Sequence, residues 1–191
     1  MGAFSPLRWL LTVETVHCAR WEVYVGRQRE KQVRIGQKEK KVVKSLVKKI
    51  KGYCVFLDMG KQRETSFNDR LMDHLRQNPH PLDVRNKKIP AAEFVGEQFR
   101  PEFYVRYHGR QLCCVECKRL TEKQAKGRWK EGLSQAILYS AVYKAVVLVL
   151  FDFTKDSRFF KKFGPGNSVE SRFAAKLRHD YNIYISAVKA E

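Results

Sequence analysis

The residues best suited to catalysis lie between positions 100 and 118, in the stretch RPEFYVRYHGRQLCCVECK. Two alternately apolar runs flank a His-Gly pair, a pattern that predicts a β-hairpin. Glu102 begins the first run, and Glu116 and Lys118 end the second. Because side chains alternate along a strand, Glu116 and Lys118 are expected on the same face. Two carboxylates beside an ammonium group can bind Mg²⁺ through their oxygens, and the ammonium group is then available to bind a phosphate.

The two carboxylates can share one ion only if both point to the same side of the sheet. By alternation, Glu116 is expected to share its face with Leu112 and Cys114. A two-residue turn would pair Glu102 with Val115, and Glu116 would then point away from Glu102. We therefore predict a three-residue loop, a β-bulge, or a Glu102 placed just before the regular strand.

A proline-acid pair followed by E-X-K resembles the signature of the PD-(D/E)XK nuclease superfamily, which has the restriction-endonuclease-like fold. The resemblance implies that Glu102, Glu116 and the carbonyl of Cys117 bind Mg²⁺ or Mn²⁺. It also implies that Lys118 assists the attacking water or the transition state. Glu102 departs from the family, which usually has Asp at this position.

The segment 27–51 holds eleven Lys or Arg and only two Glu. Its apolar residues recur with the period of an amphipathic helix whose outer face is basic. Gly52 is expected to end this helix in the left-handed conformation, and residues 53–57 predict a buried strand. A dense excess of one sign favours contact with nucleic-acid phosphates, here through Lys38, Lys41, Lys44 and Lys48.

The order of Gly36, Glu39 and Gly52 also resembles the archaeal Holliday-junction resolvases, a branch of the same superfamily. That resemblance implies that a helix acid, Glu39, completes the metal site. The alternative is that Glu39 only relieves repulsion among neighbouring lysines. A competing alignment makes the helix predicted over 66–77 the acid-bearing one, with Asp69 or Asp73 in this role.

Residues 121–124 form a capping-box pattern that predicts the start of another helix. Arg128, Gln135 and Tyr139 fall on one stripe of that helix. The Q-x-x-x-Y spacing of Gln135 and Tyr139 resembles the RecB-like branch of the superfamily. It implies that Gln135 acts in the site and that Tyr139, with Arg128, contacts DNA. The alternative is a core-edge amide and a packing tyrosine.

The run Val146 to Phe153 is apolar on both faces and predicts a central strand covered by helices. A further helix, with Val169, Phe173 and Leu177 stacked inward, and a last strand over 181–188 follow. The order predicts an α/β fold with a mixed central sheet flanked by helices, the restriction-endonuclease-like core. We expect a single domain over 1–191, with an N-terminal extension over 1–35 and an insertion over 58–99.

Composition limits the partners and the compartment. The formal net charge of +18 is typical of a polyanion-binding protein. The sequence has no run of eighteen apolar residues, so it predicts no membrane span. The start of the chain lacks a signal-peptide pattern. Five cysteines without a secretory signal favour free thiols in a reducing compartment, the cytoplasm or nucleus, where they serve as small strand hydrophobes.

The leading hypothesis is a Mg²⁺- or Mn²⁺-dependent nuclease that hydrolyses DNA phosphodiester bonds, most simply as an endonuclease. The residues do not distinguish DNA from RNA. A palindromic or junction substrate would require a homodimer. Two alternatives remain open, a nucleic-acid-binding module of the same fold without catalysis, which the Glu102 departure favours, and a peripheral membrane protein that uses the basic helix.

Overall fold

A computed structural model describes residues 35–53, 64–77, 82–86, 92–94, 96–164 and 166–190. Most of the strand predicted over 53–57 lies outside these residues, as do Cys18 and Cys54. The helices are α1 (Gln37–Lys51), α2 (Glu64–Gln77), α3 (Ala125–Tyr139), α4 (Arg158–Phe163) and α5 (Val169–Tyr181). The strands are β1 (Asp83–Arg85), β2 (Ala92–Phe94), β3 (Glu97–Phe99), β4 (Phe103–Tyr107), β5 (Arg110–Thr121), β6 (Ala145–Phe153) and β7 (Ile183–Lys189).

The main sheet has five strands in the order β1-β4-β5-β6-β7. β1, β4 and β5 are antiparallel, whereas β5, β6 and β7 are parallel, so the sheet is mixed. β2 and β3 form a separate antiparallel pair. The predicted α/β class, with a mixed sheet flanked by helices, is confirmed. Part of the segment predicted to be an insertion belongs to this core, because it supplies α2 and the edge strand β1.

β6 organises the core, as its sequence predicts. Every residue of β6 except the last is buried, since helices cover both faces of the sheet. α1 and α2 pack on one face through side chains such as Leu46 and Phe67. α3 and α5 pack on the other face through side chains such as Ala136 and Leu177. Cys113, Cys114 and Cys117 are free thiols buried in β5, which matches their prediction as strand hydrophobes.

α1 is the amphipathic basic helix that its periodicity predicts. Its inward side chains, Val43, Leu46 and Ile50, are fully buried. Gly52 differs from the prediction, because its φ is −85° and not left-handed. The Gly52 N–H donates to the Lys48 and Lys49 carbonyls, so the helix ends without a left-handed residue.

Two helix predictions need correction. β5 runs through Thr121, which pairs with Phe153 of β6, so α3 begins only at Ala125. α5 begins where predicted, and the Ser168 hydroxyl accepts a hydrogen bond from the Ser171 N–H at 3.0 Å. However, the first two residues of its predicted inward stack, Val169 and Phe173, are 69% and 40% exposed.

Among the described residues, no helix is both long and apolar enough to cross a bilayer.

Candidate active site

The β4–β5 hairpin closes with a two-residue turn. Tyr107 pairs with Arg110 across His108 and Gly109, whose φ angles are 49° and 74°. Both turn residues are therefore left-handed, as a tight turn between twisted strands requires. By itself this turn would place Glu102 and Glu116 on opposite faces of the sheet.

A β-bulge corrects the register. Arg106 pairs with Gln111. The residue before it in β4, Val105, pairs with Cys113 and not with Leu112, so Leu112 is the extra residue in β5. A bulge of this kind shifts every later pair by one residue. The predicted bulge is confirmed. It also changes the face on which Leu112 lies, which the alternation of the sequence does not predict. Leu112 packs on the α1 and α2 face and does not share the face of Glu116.

Beyond the bulge, Glu102 and Glu116 are brought together. Phe103 pairs with Val115, and Glu102 lies just before β4, with its N–H donating to the Val115 carbonyl at 3.1 Å. The regular pairing ends there, and Glu102 lies close enough to Glu116 for its charge to raise the pKa of Glu116. Burial raises the pKa of Glu102, and the charge of Glu64 adds to the rise.

Glu116 and Lys118 are almost completely buried, at 2% and 4% exposure. Lys118 Nζ lies 2.7 Å from Glu116 Oε1 and 3.1 Å from Glu131 Oε1. Burial raises the pKa of Glu116 to about 7, although Lys118 opposes the rise and Glu102 adds to it. Burial alone would lower the pKa of Lys118, but Glu116 and Glu131 outweigh it and raise that pKa. Lys118 is therefore a buried, protonated cation held between carboxylates.

Gly132 allows α3 to approach β5 closely enough to cover Lys118. A Cβ added at Gly132 would lie 2.7 Å from Lys118 Cγ and 3.0 Å from Leu148 Cδ1. Since no methyl group fits in that space, a glycine at this position sets how the Lys118 stem packs.

Glu64, at the first position of α2, is a site residue that the sequence analysis missed. Its Oε1 accepts a hydrogen bond from the Arg119 N–H at 2.8 Å, and its Oε2 forms an ion pair with Arg128. Arg128 also contacts Glu131 at 2.6 Å. The charge of Glu64 contributes to the raised pKa of Glu116. The available signal was the competing alignment, which assigned the acid to this helix but to later residues.

The structure does not bring the predicted helix acids to the site. Glu39 caps α1 by accepting from the Gly36 N–H at 2.9 Å, and it pairs with Lys144 at 2.9 Å. Its helix packs on the face of the sheet opposite Glu116, and both of its carboxylate oxygens are engaged in these two contacts. Asp69 is exposed on α2, and Asp73 is exposed beside Arg76 at 3.4 Å.

The backbone of β5 is open where these carboxylates meet. Pairing with β4 stops at Val115, whose carbonyl accepts from Glu102, while the Arg119 N–H is taken by Glu64. Backbone groups of alternate residues in a strand point the same way. The Cys117 carbonyl therefore points to the same open edge, between Glu102 and Glu64.

Several buried polar atoms of the elements that form the site lack a hydrogen-bond partner among the described residues: Glu116 Oε2 in β5, Gln135 Oε1 and Tyr139 Oη in α3, and both amide atoms of Asn68 in α2. The Asn68 amide is close enough to Glu102 to lower the pKa of that carboxyl. Burial, and then the charge of Glu116, raise the pKa of the Tyr139 hydroxyl. Each unsatisfied buried group costs about 1–3 kcal/mol, so a ligand or water that supplied the missing hydrogen bonds would stabilise the site.

The donors at this edge fit a hard divalent cation by chemistry. Carboxylates of Glu64, Glu102 and Glu116 with the Cys117 carbonyl form an all-oxygen set, which suits Mg²⁺ or Mn²⁺. Among the described residues, no three His, Cys, Asp or Glu side chains already stand in a metal-binding arrangement. Glu116 Oε1 is engaged by Lys118 while its Oε2 has no partner, so this carboxylate can accept an ion through Oε2.

The predicted nucleic-acid contacts divide into two groups. Arg128 and Tyr139 lie beside the site, but Arg128 is paired with carboxylates and Tyr139 is 0% exposed, so neither presents a free surface to DNA. The remaining residues of this prediction lie on the exposed side of α1, across the sheet from Glu116: Lys38, Lys41, Lys44 and Lys48.

No protein-family model, curated protein or solved structure matches this chain. The function is therefore argued from the fold and from the geometry of the site.

Proposed function

We propose that this protein is a Mg²⁺- or Mn²⁺-dependent nuclease with a restriction-endonuclease-like core that hydrolyses DNA phosphodiester bonds as an endonuclease. The observation that carries the proposal is the buried Glu116–Lys118 pair, at 2.7 Å, beside two further carboxylates at an open strand edge. Burying such charges is costly even when they are paired, so a role in binding or catalysis would account for their burial. Perturbed groups of this kind cluster at functional sites.

Glu102, Glu116 and the Cys117 carbonyl would hold the metal ion, and Glu64 is placed to complete the set directly or through water. When bound, a divalent ion neutralises charge on the phosphate and lowers the pKa of a bound water. Glu64 replaces Glu39 as the helix acid in this assignment.

Lys118 supplies fixed positive charge to the phosphate oxygens as negative charge develops on them. Glu131 holds the ammonium at 3.1 Å, so Lys118 keeps a partner when Glu116 turns toward an ion. A preorganised cation in a water-poor site needs no reorganisation during the reaction, which is why such groups contribute strongly to rate. Gln135 and Tyr139, beneath the site, orient Glu116 and its ligand.

The direct test is cleavage of supercoiled plasmid and single-stranded DNA in Mg²⁺ and in EDTA. Removing Lys118 (Lys118→Ala) should lower the cleavage rate at least about 100-fold, because a preorganised charge is lost, while DNA binding in EDTA persists. Lys161→Ala is the matched control, since it removes one exposed lysine of α4. Equal cleavage by the two variants and the parent protein would contradict the assignment of Lys118.

The second candidate is a nucleic-acid-binding module without catalysis. Glu102 in place of Asp supports it, as does the lack of a preformed three-ligand cluster among the described residues. This candidate predicts DNA binding of the same strength in Mg²⁺ and EDTA, with no cleavage by any variant.

A further inference from the structure

A cleft of about 730 Å³ lies between α1 and α5, beside the start of β7. It is separate from the candidate active site and shares no residue with it. The side chains that matter for its chemistry are mostly cationic: Lys40 and Lys44 from α1, and Lys176 and Arg178 from the end of α5.

Among the described residues that line this cleft, positive charge is in excess. The one acid among them, Asp180, is engaged by Lys176 at 3.5 Å and by His179 at 2.8 Å. Within the part of the chain that the structure describes, Lys40, Lys44 and Arg178 form no ion pair. Cations that converge in a concave site raise the local potential and attract polyanions, so an anion would relieve the repulsion among them.

The cleft and the candidate active site lie at different edges of the parallel strands. The cleft lies beside β7, the edge strand of the sheet, where α1 and α5 approach from its two faces. Glu116 and Lys118 lie where β5 extends past β4, and the free edge of β5 there faces away from β6. β6 therefore lies between the two places.

We propose that the cleft between α1 and α5 is a second binding site, which holds the phosphodiester backbone of a nucleic-acid segment other than the one in the active site. The inference rests on the proposed function, because it takes nucleic acid as the ligand. Interfacial membrane binding relies on apolar side chains that enter the lipid, whereas the described lining of the cleft is mainly charged, which favours a nucleic-acid backbone. The cationic side chains bind phosphates and do not specify sequence.

The test uses the full chain with Lys118→Ala, in EDTA, so that binding is measured without cleavage. Titration calorimetry with a DNA duplex of about ten base pairs, one helical turn, should give two duplexes per chain. The triple variant Lys40→Gln, Lys44→Gln, Arg178→Gln should bind one. The matched control neutralises three exposed cations outside the cleft, Lys155→Gln, Lys161→Gln and Arg172→Gln, and should still bind two.

A salt titration with a longer duplex gives an independent readout. Each lost phosphate contact lowers the slope of log K against log salt by about 0.9, so the cleft variant should lose about 2–3 units and the control less than one. One duplex per chain in the parent, or equal losses in the two triple variants, would overturn the proposal. Loss of binding to phosphatidylserine vesicles with unchanged DNA binding would overturn it too.

The result of this binding test can be distinguished from the result of the cleavage test for the proposed nuclease. If no variant cleaves DNA but the cleft variant loses one duplex, the cleft stands and the nuclease assignment fails. If cleavage depends on Lys118 but the parent binds one duplex, the nuclease stands and the cleft fails.

Discussion

Glu116 lies in an environment unlike that of an ordinary surface carboxyl. It is buried beside Lys118, and burial raises its pKa to about 7 from an ordinary value of 4.5. The folded state then binds a proton that the unfolded state has already released. A group with a raised folded pKa of this kind makes folding less favourable as pH rises between the two values.

The free energy of unfolding, measured by urea titration in EDTA, should therefore fall between pH 5 and pH 7.5. The contribution of Glu116 is on the order of 2–3 kcal/mol. The Glu116→Gln variant should show a flatter pH dependence in this range, because it has no proton to lose there. A wild-type curve parallel to that of the variant would contradict the pKa assigned to Glu116.

The same titration affects metal binding. A carboxylate must be deprotonated to bind a cation, so affinity for Mg²⁺ is expected to increase as pH rises through about 7.

The contact between α3 and β5 is the feature of the helices and strands that most directly controls the site. Gly132→Ala would force a methyl group to within 2.7 Å of Lys118 Cγ, so Lys118 or α3 must move. Small displacements of catalytic groups cost large factors in rate. We expect kcat to fall at least about tenfold, while the affinity for DNA in EDTA is unchanged.

Gly127→Ala provides the control on the same helix, because no atom lies within 4 Å of a Cβ at that position. This substitution should keep full activity and stabilise α3 by up to about 1 kcal/mol. If the two variants have the same kcat, the close approach at Gly132 does not position Lys118.

The hairpin shows how far sequence reasoning reaches among these elements. Requiring Glu102 and Glu116 to share a face predicts a three-residue loop, a bulge or a Glu102 just before the strand. The loop has two residues, the bulge is present at Leu112, and Glu102 lies just before β4. The position of the bulge within the hairpin was not predictable, since the alternating pattern of β5 continues through it. A one-residue change of register leaves the local apolar pattern almost unchanged and reverses the face of a side chain.

Contacts between residues that are distant in the sequence could not be predicted, for a different reason. Glu64 meets Arg119 and Arg128 only after α2 has packed against the sheet, and no local spacing signals that contact. The start of α3 was misplaced because Thr121 pairs with β6, so tertiary pairing overrode the capping pattern. Asp152 is another example, since it is 1% exposed and accepts hydrogen bonds from Thr154, Phe159 and Phe160.

On the scale of the whole molecule, the exposed lysines of α1 lie across the sheet from the candidate active site. The formal charge of +18 predicted a polyanion-binding protein, but composition does not say which face carries the charge. The separation follows from α1 and α3 covering opposite faces of one sheet.

The proposed function requires that Glu102, Glu116 and the Cys117 carbonyl surround one divalent cation. A crystal of the protein soaked in Mn²⁺, with an anomalous difference map, would show such an ion. We predict a single strong peak about 2.0–2.5 Å from these oxygens, and its loss in Glu116→Gln crystals. A map without a peak at this edge, or with a peak held by other residues, would contradict it.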